Sequence, residues 1–425
     1  MKHINIRKGV DLRIIDEPKF KTNQISVFFN LPMTRENVTK QALLPAVLKR
    51  GTEKYPTLTL ISRQLDNMYG AGFKTGVRRK GDGEAMYFTI TYVRDRFTGT
   101  NLTAEVLDFL REFIFKPLIL GGGFKQEYLD NEKENLKQAI EGLINDKREY
   151  VDVKCRESMF KDQPYGMYEA GYVEDLDGIT AKNLYEFYQK TLSDSKTDIF
   201  ATGEFDDETL KLIEAFAEEF PERDAEYVKT APATPDIEKT EPNIITEEFP
   251  VAQSKFTIGL RCGVDPVSNE YYSLMLASCI FGGSPFSKLF NNVREKLSLA
   301  YYCISRVERF KSVMFISSGI ETKNFKAAYD ETMVQFNKMK NGEIDDAEFE
   351  NSKRYLISSI NSMKDGLSAM EDYYLSQAIL GKNGVLDDLI AAIEKVTKEE
   401  VSAVFNKISA DTVYLLKGTT TNEEA

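Results

Sequence analysis

The chain has 425 residues, 55 Lys and Arg against 67 Asp and Glu, and a formal net charge of −12. That length suits two or three domains with ample core. The composition, 42% hydrophobic and 29% charged, is globular, and the acidic balance excludes a large basic nucleic-acid surface. His3 is the single histidine, so an HExxH or HxxEH zinc site, which needs two, is excluded by counting.

In chain order, the opening MKHINIRKGVDLRIIDEP carries Asp11, Arg13, Asp16 and Glu17 where a signal peptide would need an apolar stretch. No apolar run approaches the ~18 residues of a transmembrane helix, so the expectation is a cytoplasmic protein with no transmembrane segment. QISVFFNLP (24–32) reads as a strand. The stretch from Leu60 to Tyr92 reads helix, strand, turn, strand, with Lys80-Gly81-Asp82-Gly83 as the turn. Gly121-Gly122-Gly123 reads as a flexible connection between helices, and no GK[ST] follows to make a phosphate loop. Asp206-Asp207-Glu208 reads as the acidic start of a helix. Cys155, Cys262, Cys279 and Cys303 show no CxxC spacing and read as reduced structural thiols.

An internal repeat organises these elements. Shifted by 220 positions, Leu129, Leu136, Ile140 and Leu143 fall on Phe349, Leu356, Ile360 and Met363, and Asn131 and Lys133 fall on Asn351 and Lys353. The apolar spacing keeps one face of a helix. Downstream, Thr180 and Thr397 each cap a helix that leads into a strand, TDIFATG or DTVYLLKG. Upstream, SKFTIGLRCGV parallels QISVFFNLP. Helices and strands do not alternate regularly, so the expected fold class is α+β, with two homologous halves and helices covering one sheet face. The Pro-rich stretch 225–250 reads as a linker ending in a strand, which gives halves at 1–224 and 251–425.

Two stretches resemble the insulinase/pitrilysin peptidase family. GGSPFSKLFNNVREKLSLAYYCIS (Gly282–Ser305) is similar to a segment of the family's second half. RGTEKYPT (Arg50–Thr57) is similar to the stretch after its zinc helix. Counting back from Gly51 puts the family's HxxEH on Ala42, Leu43, Leu44, Pro45 and Ala46. Both imidazoles become methyl groups and the water-activating Glu becomes proline. The family's third ligand, a Glu on a later helix, corresponds to Glu132 or Glu134. The resemblance covers nearly the whole chain and is closest to a non-catalytic branch of Gram-positive bacteria. It implies a duplicated insulinase-like domain forming a clamshell, no metal in this chain, and an HxxEH-bearing sister subunit that carries zinc and acts on a peptide substrate.

The resemblance also implies functional residues. Arg294 and Tyr301 match an Arg and a Tyr that face the zinc from the family's second half. Both can donate hydrogen bonds to a carbonyl oxygen gaining charge. The plainer alternative is a surface ion pair for Arg294 and a half-buried strand residue for Tyr301. Gly282 and Gly283 read either as a left-handed helix C-cap or as a peptide-contacting loop. The function so implied is a non-catalytic subunit that completes a partner's peptidase site. The alternative is a peptide-binding or scaffold protein on the same fold without proteolysis.

Overall fold

The strands predicted from the sequence assemble into two separate sheets. In the computed structural model, which describes residues 1–236 and 241–420, the chain forms two compact units. Unit one holds residues 1–141, 167–229 and 367–379; unit two holds 142–166, 230–366 and Leu380 onward. The change of unit at Lys229/Thr230 falls in the stretch read as a linker.

Unit one contains β1 (Lys2–Arg7), β2 (Val10–Asp16), β3 (Thr22–Pro32), β4 (Gly72–Lys80), β5 (Gly83–Val93), the short β6 (Ile119–Leu120) and β7 (Gly123–Phe124), and β8 (Lys196–Gly203). Its main sheet runs β1-β2-β8-β3-β5-β4. Unit two contains β9 (Asn243–Phe249), β10 (Gln253–Arg261), β11 (Ala300–Glu308), β12 (Val313–Glu321) and β13 (Ser409–Gly418), in the order β11-β12-β10-β13-β9. Read from its other edge, β9-β13-β10-β12-β11 repeats β2-β8-β3-β5-β4. Each sheet has one parallel pair, β2 with β8 and β9 with β13. The remaining pairs are antiparallel. The fold is therefore α+β and duplicated, and β1 is an extra edge strand in unit one.

Helices repeat with the strands. Gln126–Gly142 and Asp346–Met363 are the paired long helices, and Leu129 and Phe349 are buried on each. Lys133 Nζ donates to the carbonyl of Ile179 (3.0 Å), just before the cap Thr180. Lys353 Nζ donates to that of Val396 (2.7 Å), just before the cap Thr397. One hydrogen bond thus recurs at both copies. Thr180 and Thr397 each close a reciprocal capping box, with Asn183 and Glu400. Apolar side chains from these helices and the sheets build a separate core in each unit, around Phe29, Phe88 and Phe109 in one and Phe256, Phe281 and Phe405 in the other. The four cysteines are buried and unpaired, and burial pushes the Cys279 and Cys303 thiols up to about 12. No helix among the described residues is long and apolar enough to cross a membrane.

The triple glycine differs from expectation. Gly121 and Gly122 both take positive φ (62° and 84°) and form the tight turn of the β6–β7 hairpin. Gly123 lies so close to the Ala181 backbone that a Cβ would stand 2.7 Å from its carbonyl carbon. The three glycines meet backbone constraints and do not form a flexible connection.

Each unit takes one helix from the other half of the sequence, and each such helix buries a carboxylate on its sheet. Helix Leu367–Ile379 places Glu371 on the unit-one sheet, where Gln24 Nε2 and Ser26 Oγ donate to one oxygen (2.6 Å each) and Thr202 Oγ1 to the other (2.8 Å). Helix Lys147–Met159 places Asp152 on the unit-two sheet, where Thr257 Oγ1 and Ser317 Oγ donate at 2.6 Å and Arg306 Nη2 at 2.8 Å. Burial is the largest influence on Glu371. It pushes the carboxyl from 4.5 up to about 7 against the three donors. The folded state then holds a proton that the unfolded state has lost. This contribution to stability is full below pH 4.5 and fades as pH rises through about 7. Glu371→Gln keeps an acceptor and removes the charge. Its stability relative to wild type should grow by about 1–3 kcal/mol between pH 5 and pH 8, since each tenfold difference in proton affinity between folded and unfolded chain is worth ~1.4 kcal/mol. Thermal melts of both proteins across that range check this, and parallel pH profiles would contradict it.

Candidate functional site

Helix Val38–Lys49 buries Leu43, Leu44, Val47 and Leu48 in the unit-one core. Helical spacing then turns Ala42, Pro45, Ala46 and Lys49 to the opposite side. These four line a cleft of about 630 Å³ with Arg50, Glu132, Leu136 and the β4 residues Thr75, Gly76 and Val77. Pro45 has no N–H for an intrahelical bond, while its carbonyl accepts from Thr75 Oγ1 (3.1 Å), joining the helix to β4. β4 is the last strand of its sheet, so one side of its backbone has no strand partner.

Of the two candidate acids, Glu132 lines this cleft. Glu134 is exposed on the long helix and accepts from Gln138 Nε2 at 2.9 Å. Glu132 is paired with Arg50 Nε, and Asn135 Nδ2 donates to its other oxygen at 3.3 Å. Arg50 has no role that its sequence context announces, although it stands four residues beyond Ala46 on the same helical face. The cleft does not fit zinc: positions 42, 45 and 46 present two methyl groups and a proline ring, and its two carboxylates, Glu132 and Glu169, are each held by a guanidinium, of Arg50 and Arg79. Among the described residues no group of three or more His, Cys, Asp or Glu is placed to hold a metal ion.

Unit two brings together the residues singled out in its sequence. Helix Glu270–Ser278 widens into a π-helical turn over Cys279–Gly283, and a second π-helical segment runs from Phe290 to Lys296. Arg294 lies on that segment with its guanidinium 4.7 Å from the Phe290 ring centroid and a 3.5 Å contact to Glu295. Ser298, at φ 51°, reverses the chain into β11. There a β-bulge between Ala300 and Tyr302 leaves Tyr301 as the extra residue, half-exposed at the sheet edge. Arg294 and Tyr301 thereby line one cleft of about 380 Å³, with Glu295, Glu321 and Asn324.

Gly282 and Gly283 line an adjoining hollow of about 290 Å³ with Arg294, Tyr302 and Tyr355. Neither glycine has positive φ, so the left-handed C-cap reading does not hold. Packing explains Gly282: a Cβ would stand 2.7 Å from the Ser305 backbone nitrogen and 2.8 Å from a Leu289 methyl. The hollow repeats the unit-one cleft, since β11 occupies the place of β4 and is likewise an edge strand. Shifted by 220, Glu132 corresponds to Ser352, whose hydroxyl meets that of Ser284 at 3.2 Å.

Comparison with known proteins decides the relationship. The chain is 33% identical over 427 residues to the "Probable inactive metalloprotease YmfF" of Bacillus subtilis, covering 99% of both chains. The chain belongs to the M16 peptidase family. The family pattern described as Peptidase M16 inactive domain matches residues 178–356. A crystal structure of a conserved protein from Enterococcus faecalis V583 superposes with TM-score 0.90 at 30% identity, covering 99% of both chains. A peptidase M16 inactive domain from Pseudomonas fluorescens superposes at 0.78 with 17% identity, a likeness of fold, covering 99% of this chain and 98% of that one. The chain is thus an inactive M16 homologue, as the loss of the three HxxEH positions implies. Dialysed against excess zinc and then washed, the protein should retain well under one zinc per chain, and Glu132→Gln should leave that value unchanged. One tightly held zinc, lost in Glu132→Gln, would contradict this reading of the cleft.

Proposed function

We propose that this chain is a non-catalytic peptidase subunit. It holds an extended peptide and contributes Arg294 and Tyr301 to the site of an HxxEH-bearing, zinc-containing partner. The observation that carries the reading is a pairing of loss and retention. The unit-one cleft has an apolar wall and an open strand edge but lacks every HxxEH side chain. Unit two keeps a guanidinium and a phenol on one cleft. An open edge strand offers backbone donors and acceptors to an added strand, and pockets beside it take alternate side chains. Gly282 and Gly283 line the hollow beside β11.

The partner supplies the metal and the activated water, and the peptide bond is cleaved there. This chain supplies walls and hydrogen-bond donors. Arg294 is suited to that task because its contact with Glu295 is long and its side chain is half-exposed.

Arg294→Ala should leave folding nearly unchanged, because an exposed ion pair contributes only about 0–1 kcal/mol. Turnover by the mixed complex should fall by about 10²–10³, the usual cost of one preorganised donor to a developing oxyanion. Tyr301→Phe should act in the same direction while keeping the ring. The assay pairs this chain with an HxxEH-bearing M16 subunit and follows cleavage of a fluorogenic peptide, with a melting curve for each variant. Wild-type turnover in both assembled variants would favour a scaffold role.

A further inference from the structure

Lys49 is the one charged residue lining the unit-one cleft that has no partner of opposite sign among the described residues. The two acids of the cleft are taken, Glu132 by Arg50 and Glu169 by Arg79. Lys49 lines the same cleft, half-buried, and its ammonium makes no ion pair or hydrogen bond among the described residues. It stands in the last turn of helix Val38–Lys49, where the negative end of the helix dipole tolerates a cation without an acid. Arg50 gives only its Nε to Glu132, so its outer nitrogens add donors on the same cleft.

Much of the remaining wall is apolar, with Pro45, Leu58, Val77 and Leu136. Beside such a wall the local dielectric is low, and a charge-assisted hydrogen bond gains strength. Thr75, Gly76 and Val77 bring the middle of β4 (Gly72–Lys80) to the cleft, and the outer edge of β4 has no strand partner. A peptide paired along that edge runs past the cleft and does not end in it, so it offers side chains there and not a terminus. Strand alternation puts its residues i and i+2 on one face. At about 630 Å³ the cleft has room for both.

We infer that Lys49, assisted by Arg50, receives the carboxylate of an aspartate or glutamate in a peptide held along β4, with an apolar residue two positions away against the wall. Lys49 is then a specificity-determining residue, three positions beyond Ala46 on the helix that lacks the metal ligands. The chain's net charge of −12 repels such a peptide at long range. At physiological salt, exposed charges more than about 8 Å away are largely screened, and the local ammonium decides. The inference rests on the peptide-holding reading above and adds a substrate class to it.

Four hexapeptides of Val and Thr, labelled with an uncharged dye, test it by anisotropy with the full chain at physiological salt. One is neutral with blocked ends. Two are blocked and carry a single central glutamate or lysine. The fourth is neutral with a free C-terminal carboxylate. The glutamate peptide should bind about 10-fold tighter than the blocked neutral one, as expected for a hydrogen bond between charged groups. Lys49→Met should bring that ratio toward one, Lys49→Arg should preserve it, and Lys49→Glu should move the preference to the lysine peptide. Ratios within one variant cancel any loss of folded protein. Equal binding of the glutamate and neutral peptides by wild type, or a glutamate preference that survives in Lys49→Glu, would overturn the inference and leave the peptide-holding reading intact. A gain by the free C-terminus alone would overturn the side-chain assignment. Binding of none would overturn the peptide-holding reading as well.

Discussion

The 3.6-residue period of helix Val38–Lys49 fixes what the unit-one cleft can do. Leu43, Leu44, Val47 and Leu48 anchor one face in the core, so positions 42, 45, 46 and 49 must face the cleft whatever side chains they carry. In this chain they carry two methyl groups, a proline ring and a lysine. A scaffold that could orient metal ligands is intact, and the ligands are absent. The acids that line the cleft, Glu132 and Glu169, are paired with Arg50 and Arg79 and do not stand as unpaired charges.

Duplication governs the rest. The same five-strand order, the same lysine-to-carbonyl bond and the same Thr-capped helix recur in each unit. In both copies an edge strand runs beside a groove, β4 in one and β11 in the other. The copies differ in what fills the groove. Unit one presents an apolar wall with a closed ion pair, whereas unit two presents a glycine pair, an arginine and two tyrosines. Duplication of one unit accounts for the shared edge geometry, while the side chains of the two grooves have diverged.

Much of this is legible in the sequence, because period-two and helical patterns, caps and hairpin turns are local signals. The repeat, the α+β class and the strand at the end of 225–250 follow from such signals, whereas the positions of the lost ligands follow from the family resemblance of Arg50–Thr57. Features set by distant contacts are not legible. Helices Lys147–Met159 and Leu367–Ile379 pack on sheets built from the other half of the sequence, and an amphipathic pattern does not say which sheet it will cover. The Gly121–Gly123 turn requires positive φ, but the run also fits a linker. Arg50 appears in the sequence only as the start of the RGTEKYPT stretch, and its pairing with Glu132 is not visible there because the two lie 82 residues apart. Gly282 matters for its missing side chain, as its sequence context suggests, but the constraint comes from β11 packing and not from a helix cap.

A chain that holds peptide in clefts without a metal should bind without cutting. The most direct measurement incubates the purified chain alone with a fluorescent Val/Thr peptide, with and without added zinc, and follows both bound fraction and peptide mass. The expected result is saturable binding with the peptide recovered intact in both conditions. Cleavage that scales with protein concentration and disappears on chelation would contradict it.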